Sequence, residues 1–133
     1  MLLIKTTISQ STIHGIGLFA AEFIPKGTKT WAYDPLFDKT FTEDEISKLP
    51  PHALRRFYDY SYYDASLNKF VLCFDDLRFI NHTEDNPNII SATDHDVAAR
   101  DIMPGEELLC NYNHFEDGYF ERRGIAYGTF AIL

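Results

Sequence analysis

The sequence lacks a long apolar segment, a cluster of cysteines and an excess of positive charge. Its two cysteines, Cys73 and Cys110, lie in apolar runs and far from metal-ligand spacing, and its five histidines form no HxxxH pattern. We therefore expect no bound metal. No apolar run approaches the roughly eighteen residues of a membrane span, and residues 1–10 lack a signal-peptide pattern. These absences predict a soluble, intracellular protein with no membrane partner.

The charge of the chain is acidic. Twelve Lys and Arg residues stand against twenty Asp and Glu residues, which gives a formal net charge of −8. Such a charge repels phosphate backbones, so direct nucleic-acid binding is not expected. Two explanations stay open: the charge serves solubility, or it attracts basic protein partners.

The apolar pattern predicts one mainly β domain over residues 1–133 with a small helical insert. Thr42 and Glu45 have capping-box spacing, and Pro50 and Pro51 end that short helix and begin a second. Short strands separated by turns are expected around this insert. We divide the domain into an N-terminal part (1–33), the helical insert (34–69), a C-terminal part (70–114) and a tail that completes the site (115–133).

Three segments, read in order, carry a family resemblance. They are HGIGLFAAEFIPKGT at 14–28, RFINHTEDNPNI at 78–89 and AARDIMPGEELLCNY at 98–112. Together they resemble the SET domain. The resemblance implies a β-clip-like fold of short curved sheets with a knot-like C-terminal threading. It also implies a methyltransferase that uses S-adenosylmethionine to methylate a lysine of a protein or peptide, as histone-lysine methyltransferases do.

The first segment contains Gly15 and Gly17, which lack a Cβ and let the backbone approach a ligand closely. An ordinary tight turn is the alternative explanation. By resemblance, the main chain of His14 and Ile16 holds the methionine and adenine ends of the cofactor. We include all four residues among the cofactor-binding residues.

The second segment places two polar side chains, Asn81 and His82, after an apolar pair. Such groups can direct hydrogen bonds into an apolar pocket, although an Asn-His pair also suits a loop cap or a buried pair. By resemblance, Asn81 and His82 hold the cofactor's amino group and adenine. Arg78 and Phe79 are included with them, and Arg78 fits better as a support of the chain crossing than as a substrate contact.

The third segment ends at Tyr112, which matches the catalytic tyrosine of the family. The sulfonium of the cofactor already activates the methyl group, so the protein must position, desolvate and deprotonate a lysine whose ordinary pKa is about 10.4. We expect Tyr112 to orient the amine rather than act as a strong base. The predicted substrate channel comprises Tyr60, Tyr62, Cys110, Phe115 and Tyr119, with Phe120 and Tyr127 as further candidates for closing it.

Two departures from the family pattern bear on these expectations. The loop between His82 and Pro87 is one residue longer than usual, with Thr83 in place of the usual Ser. Cys110 stands where the family often has Tyr or Phe, so the number of methyl groups added stays open. The zinc-binding cysteine clusters that flank many relatives are absent here, and a homodimer is one way to complete the site.

Two other hypotheses compete with the methyltransferase. The first is a catalytically silent SET-like module that binds a peptide or partner. The second is a metal-dependent hydrolase that uses three histidines and a nearby aspartate, although these residues lack regular ligand spacing. Its candidate ligands are His82, His95, His114, Asp85, Asp94 and Asp96.

Overall fold

A computed structural model describes residues 1–124, which form ten short strands in four small sheets, three α-helices and two 3-10 helices. In chain order the elements are β1 (Thr6–Gln10), β2 (Ile16–Ala20), β3 (Lys29–Ala32), β4 (Asp38–Phe41), α1 (Glu43–Ser47), α2 (Pro51–Tyr60), β5 (Ser61–Asp64), β6 (Lys69–Cys73), a 3-10 helix (Asp76–Phe79), β7 (Asn81–His82), β8 (Ile89–Ser91), β9 (His95–Ala98), β10 (Leu109–Cys110), a second 3-10 helix (Tyr112–His114) and α3 (Tyr119–Arg122). The predicted mainly β architecture is confirmed. No helix within residues 1–124 is both long and apolar enough to cross a membrane.

The first sheet pairs β1 with β2 in antiparallel register. Most of β1 is exposed, whereas Leu18 and Ala20 of β2 are buried in the core. The amide of Leu108 donates to the carbonyl of Leu18 at 2.8 Å, and Phe19 forms a bridge with Glu107. The first and third sequence motifs therefore lie side by side.

A three-stranded antiparallel sheet has β9 at its centre, between β3 and β8. Asp96 of β9 lies opposite both Trp31 of β3 and Ser91 of β8. Residues paired across neighbouring strands project from the same face of a sheet. These three side chains therefore share one face, and all three are buried.

The insert contains the two predicted helices. Thr42 and Glu45 close the predicted capping box, each side chain lying 3.1 Å from the other residue's amide nitrogen. The insert also contains β4 and β5, which the sequence analysis did not predict and which flank β6 in a third sheet. Phe41 and Tyr63 both lie opposite Phe70, so these strands depend on pairing with a partner outside the insert.

The second and third motifs meet through the parallel pairing of β7 with β10. Asn88, only 3% exposed, reinforces this junction. Its Nδ2 donates to the carbonyl of Glu107 at 2.8 Å, and its Oδ1 accepts from the amide of Leu109 at 2.8 Å. The third motif thus runs beside the second, as the predicted knot-like threading requires.

Candidate functional site

Two cavities meet at Tyr112. The larger, here called the outer cleft, has a volume of about 320 Å³, and the smaller, here called the inner cavity, has a volume of about 50 Å³. The residues that line both are Asp59, Tyr60, Arg78, Ile80 and Tyr112. A ligand in the outer cleft and a second ligand in the inner cavity could therefore both approach Tyr112.

Most predicted site residues line one of these two cavities, and Tyr60, Arg78 and Tyr112 line both. Six of the eight predicted cofactor-binding residues line the outer cleft, namely His14, Gly15, Ile16, Arg78, Phe79 and Asn81. All five predicted channel residues line the inner cavity, namely Tyr60, Tyr62, Cys110, Phe115 and Tyr119. Gly17 and His82 line neither. Tyr127 lies outside the described residues, so its predicted role is not addressed.

Gly17 makes room for a side chain of this protein. A Cβ added to Gly17 would lie 2.5 Å from Oε2 of Glu107, which is closer than real Cβ contacts allow. Glu107 also accepts hydrogen bonds from Ser11 Oγ at 2.8 Å and from Asn81 Nδ2 at 3.0 Å. The close approach predicted between Gly17 and a ligand is therefore made by Glu107, a residue of the PGEEL stretch that was not among the predicted site residues.

Asn81 positions the wall of the outer cleft. Its buried side chain donates from Nδ2 to the carbonyl oxygen of His14 at 2.8 Å as well as to Glu107. Gly15 has a φ of +45°, a left-handed conformation that favours glycine, so a tight turn exposes the main chain of residues 14–16 to the cleft. The amide of Asn81 therefore holds the main-chain segment for which a cofactor contact is predicted.

His82 lies behind Tyr112. Its Nδ1 accepts a hydrogen bond from the backbone amide of Tyr112 at 3.0 Å, and its ring packs against Phe120 with a centroid distance of 4.8 Å. Burial lowers the pKa of His82, and Glu84 opposes this shift. A neutral imidazole that accepts through Nδ1 holds the main chain of Tyr112 in place. The adenine contact predicted for His82 stays a prediction.

Tyr112 is 6% exposed, and its hydroxyl donates to the backbone carbonyl of Ile80. Burial raises the pKa of Tyr112 well above its ordinary value. The phenol therefore stays protonated at neutral pH and cannot serve as a standing base. This geometry supports the predicted orienting role.

Two carboxyl groups that the sequence reasoning did not place in the site line these cavities. Asp59 lines both and lies 3.8 Å from Arg56, and burial raises its pKa. Asp96 lines the inner cavity, is 5% exposed, and has a pKa raised by burial to about 7. No signal in the sequence placed Asp96 in this cavity, because only the structure shows that alternation along β9 turns it inward together with Ala98.

The metal-hydrolase hypothesis named Asp96 as one of three alternative aspartate ligands, with Asp85 and Asp94. Residues 1–124 contain no group of three or more His, Cys, Asp or Glu side chains arranged to hold a metal ion. That hypothesis therefore finds no ligand set in the described part of the chain.

A buried ion pair fastens the segment that follows Tyr112. Arg123 Nη1 lies 2.8 Å from Glu116 Oε2, its Nη2 donates to the carbonyl of Ser61 at 2.9 Å, and its guanidinium lies 3.6 Å from the ring centre of Tyr119. These contacts hold Tyr119 and Phe115 at the inner cavity. Residues 115–124 show no periodic pattern, so nothing in the sequence predicted this pair.

A third cleft shares Phe115 with the inner cavity as a lining residue. Its volume is about 350 Å³, and its charged residues are Asp64, Glu116, Asp117 and Arg122. Because Glu116 is paired with two arginines, the other carboxyl groups of this cleft are those of the buried Asp64 and the exposed Asp117. The inner cavity shares lining residues with both clefts, which are similar in size.

Comparison with known proteins matches residues 15–113 to the SET domain family model. Among solved structures, a Chaetomium thermophilum Polycomb Repressive Complex 2 with mutations in Ezh2 is 26% identical, with a TM-score of 0.67 and 90% of this chain covered. An active Polycomb Repressive Complex 2 in its stimulated state is also 26% identical, with a TM-score of 0.64 and 82% coverage. This chain spans only 16% and 15% of those two proteins.

A candidate histone methyltransferase from Plasmodium falciparum shows the same fold at 23% identity, with a TM-score of 0.59, and the match covers 85% of this chain and 96% of that one. No protein of curated function matches the chain. The family match extends over most of the sequence and includes parts of all three motifs. This chain therefore belongs to the SET-domain family.

Proposed function

We propose that this protein transfers a methyl group from S-adenosylmethionine to the side-chain amine of a lysine in another protein. The observation that carries the proposal is the meeting of the outer cleft and the inner cavity at Tyr112. A methyl donor on one side and an amine on the other would face each other there, which is the arrangement that a direct transfer needs. The similarity to Polycomb Repressive Complex 2 and to a candidate histone methyltransferase supports the same reaction class.

The outer cleft fits S-adenosylmethionine in its chemistry. Residues 14–16 line the cleft, and Asp59 adds a carboxyl group to its wall. Burial raises the pKa of Asp59 and so favours its neutral form. A positively charged ligand nearby would oppose this effect and favour the ionised carboxylate. When bound, the cofactor supplies a methyl group that its sulfonium activates.

The inner cavity offers an environment that would remove water from the lysine amine. Its aromatic walls include Tyr60, Tyr62 and Phe115, and they would remove water from an entering lysine side chain. Loss of water lowers the pKa of an ammonium group and favours the neutral amine that reacts. Tyr112 keeps its proton, so it would orient the reacting groups by hydrogen bonding and packing.

The third cleft offers a route for the substrate. Because Phe115 lines both this cleft and the inner cavity, a peptide lying there could direct a lysine past Phe115 towards Tyr112. Asp64 and Asp117 line the cleft, and the whole chain carries a net charge of −8. Complementary charge therefore favours a basic peptide.

Calorimetric titration with S-adenosylmethionine and with its demethylated product tests the cofactor. Mass spectrometry of lysine-rich peptides incubated with the protein and cofactor then tests the transfer. We expect binding of both compounds and mass gains in methyl steps on lysine, and no gain on matched peptides with arginine in place of lysine. Failure to bind either compound would overturn the cofactor assignment.

The variant Tyr112→Phe separates an enzyme from a silent binding module. It retains the ring and removes the hydroxyl that donates to Ile80. We expect it to bind the cofactor as the wild type does and to lose most turnover, by about a hundredfold or more. Cofactor binding by the wild type, without transfer to any lysine peptide, would instead support the silent module.

A further inference from the structure

The inner cavity contains a buried acid that the proposed mechanism has not yet used. Asp96 lies on β9, and its cross-strand neighbours Trp31 and Ser91 line the same cavity. A carboxyl group that is 5% exposed loses most of its hydration, which is unfavourable unless other groups compensate. Asp96 lines the same cavity as Tyr112, so its burial there calls for a functional explanation.

The cavity also presents polar atoms without partners. Among residues 1–124, Trp31 Nε1 and Ser61 Oγ are buried and make no hydrogen bond. Both residues line the inner cavity and are at most 4% exposed. Buried polar atoms are nearly always paired in folded proteins, so such a pair indicates a place for a polar guest. Because Trp31 Nε1 can only donate, the guest must be able to accept a hydrogen bond, as a water molecule can.

Several titratable groups face Asp96. Burial has the largest effect on its pKa and raises it, whereas a hydrogen bond from Ser91 and the charges of His95 and the N-terminal amine lower it. Tyr62, Cys110 and Tyr119 line the same cavity, and burial raises the pKa of each, so these groups are neutral near pH 7.

Asp59 and Arg78 complete the charged lining of the inner cavity. Asp59 lies 3.8 Å from Arg56, whereas Asp96 forms no ion pair with Lys or Arg within residues 1–124. Burial raises the pKa of Asp96 to about 7, so its carboxyl group changes charge near neutral pH. A general base works best with a pKa near the working pH.

We propose that Asp96 accepts the proton that the substrate lysine must lose before it is methylated. This inference rests on the proposed function. An N–H bond of the ammonium breaks, its electron pair stays on nitrogen, and the proton forms an O–H bond with the carboxylate of Asp96. Two opposite charges thereby become two neutral groups, a change that an apolar cavity favours.

The neutral amine that remains would use this electron pair to form the N–C bond to the methyl group that bound S-adenosylmethionine would supply, and the C–S electron pair would leave on sulfur. The product keeps the positive charge that the sulfonium carried. Asp96 releases its proton to water after the product leaves, which restores the carboxylate for the next turnover.

The variant Asp96→Asn tests the proposal, because asparagine keeps the shape and removes the base. We would measure kcat/KM for a lysine peptide at saturating cofactor from pH 5 to 10. The kcat/KM of the wild type should rise tenfold per pH unit at acidic pH and then reach a plateau. The plateau should begin at or below about pH 7, because the cofactor's positive charge stabilises the carboxylate. The variant should be about a hundredfold slower at pH 7 and keep rising towards pH 10, where lysine itself becomes neutral.

Two further variants refine the test. Ser91→Ala removes a hydrogen bond that lowers the pKa of Asp96. The rise of kcat/KM at acidic pH, here called the acidic limb, should therefore move to higher pH. Asp59→Asn removes the other carboxyl of the cavity and should retain the acidic limb. Loss of the limb in Asp59→Asn would overturn the assignment to Asp96.

The outcomes also separate this inference from the proposed function. If Asp96→Asn lowers the rate by the same factor at every pH, the role is structural and the inference is wrong, while transfer by both proteins at pH 10 upholds the methyltransferase. Absence of transfer by the wild type at every pH would overturn both. Thermal melting of each variant verifies that it is folded.

Discussion

The side chains of Asn81 and Glu107 meet at the edge of the outer cleft, where Asn81 Nδ2 donates to Glu107 Oε2 at 3.0 Å. The same carboxylate accepts from Ser11 Oγ and occupies the space that a side chain at position 17 would need. One carboxylate therefore links the three sequence motifs. This arrangement explains why a glycine, an asparagine and a glutamate far apart in the chain act together.

This contact makes the effects of Gly17 and Glu107 interdependent. We expect Gly17→Ala to lower the free energy of unfolding by about 1–3 kcal/mol, because its Cβ would crowd the carboxylate. In a Glu107→Ala background the same change should be much less harmful. Urea denaturation of the two single variants and the double variant measures the coupling. Strictly additive effects would contradict the packing described here.

The buried pair of Glu116 and Arg123 should dominate the stability of the segment after Tyr112. Their side chains are 1% and 3% exposed, so Glu116→Gln leaves a buried guanidinium without its counter-ion. We expect a loss of about 3 kcal/mol in the free energy of unfolding. Arg122→Ala is the matched control, because Arg122 binds the same carboxylate but is 42% exposed, and it should cost less than about 1 kcal/mol. Equal losses in the two variants would be inconsistent with this distinction.

The ionisation of Asp96 should also make the free energy of unfolding depend on pH. Its pKa of about 7 exceeds the ordinary value of 3.8, so between these pH values the folded protein holds a proton that the unfolded chain has released. The free energy of unfolding should therefore fall as pH rises from about 4 to about 7, by up to about 1.4 kcal/mol per unit, and level off above. Asp96→Asn should be close to the wild type at pH 4 and more stable at pH 8. Urea denaturation at both pH values measures this difference, and a constant difference would argue against a raised pKa.

The size of the residue at position 110 should limit how many methyl groups are added, if the proposed function holds. Cys110 is 1% exposed and lines the inner cavity beside Tyr112. In Cys110→Tyr the larger ring would fill space that a methylated amine needs, so products should carry fewer methyl groups per lysine than those of the wild type. Cys110→Ala preserves that space and serves as the control. Mass spectrometry of the products decides, and an unchanged distribution in Cys110→Tyr would show that the cavity does not set the product.

Local signals predicted the helices of the insert well, whereas strands that depend on distant partners were missed. The capping box of Thr42 and Glu45 forms within four residues, so the sequence contains all its determinants. β5 becomes a strand because it pairs with β6, and residues 61–64 alone carry no strand pattern. The aromatic run that contains Tyr62 was therefore assigned to the channel without its strand.

The candidate site shows the same division. Motif order predicted that residues 14–16, Asn81 and Tyr112 belong to one site, and the structure brings them to one cleft. Motifs could not indicate Asp59 or Asp96, because neither belongs to the pattern and each reaches the inner cavity from a separate element. Glu107 lay within a motif, but its role depends on contacts with Ser11 and Asn81.

The amino-acid sequence by itself determined the family, the mainly β character and the residue types available for chemistry. Motifs, caps and turns depend on residues that are close together in the sequence, so they can be recognised without the structure. Only the tertiary structure decided which side chains share a cavity, which carboxyl group loses its water, and which glycine faces a carboxylate. These properties depend on burial and on distances between residues far apart in sequence. Asp96 illustrates the difference, since an ordinary aspartate in the sequence becomes a group that titrates near neutral pH only when the sheet turns it into the inner cavity.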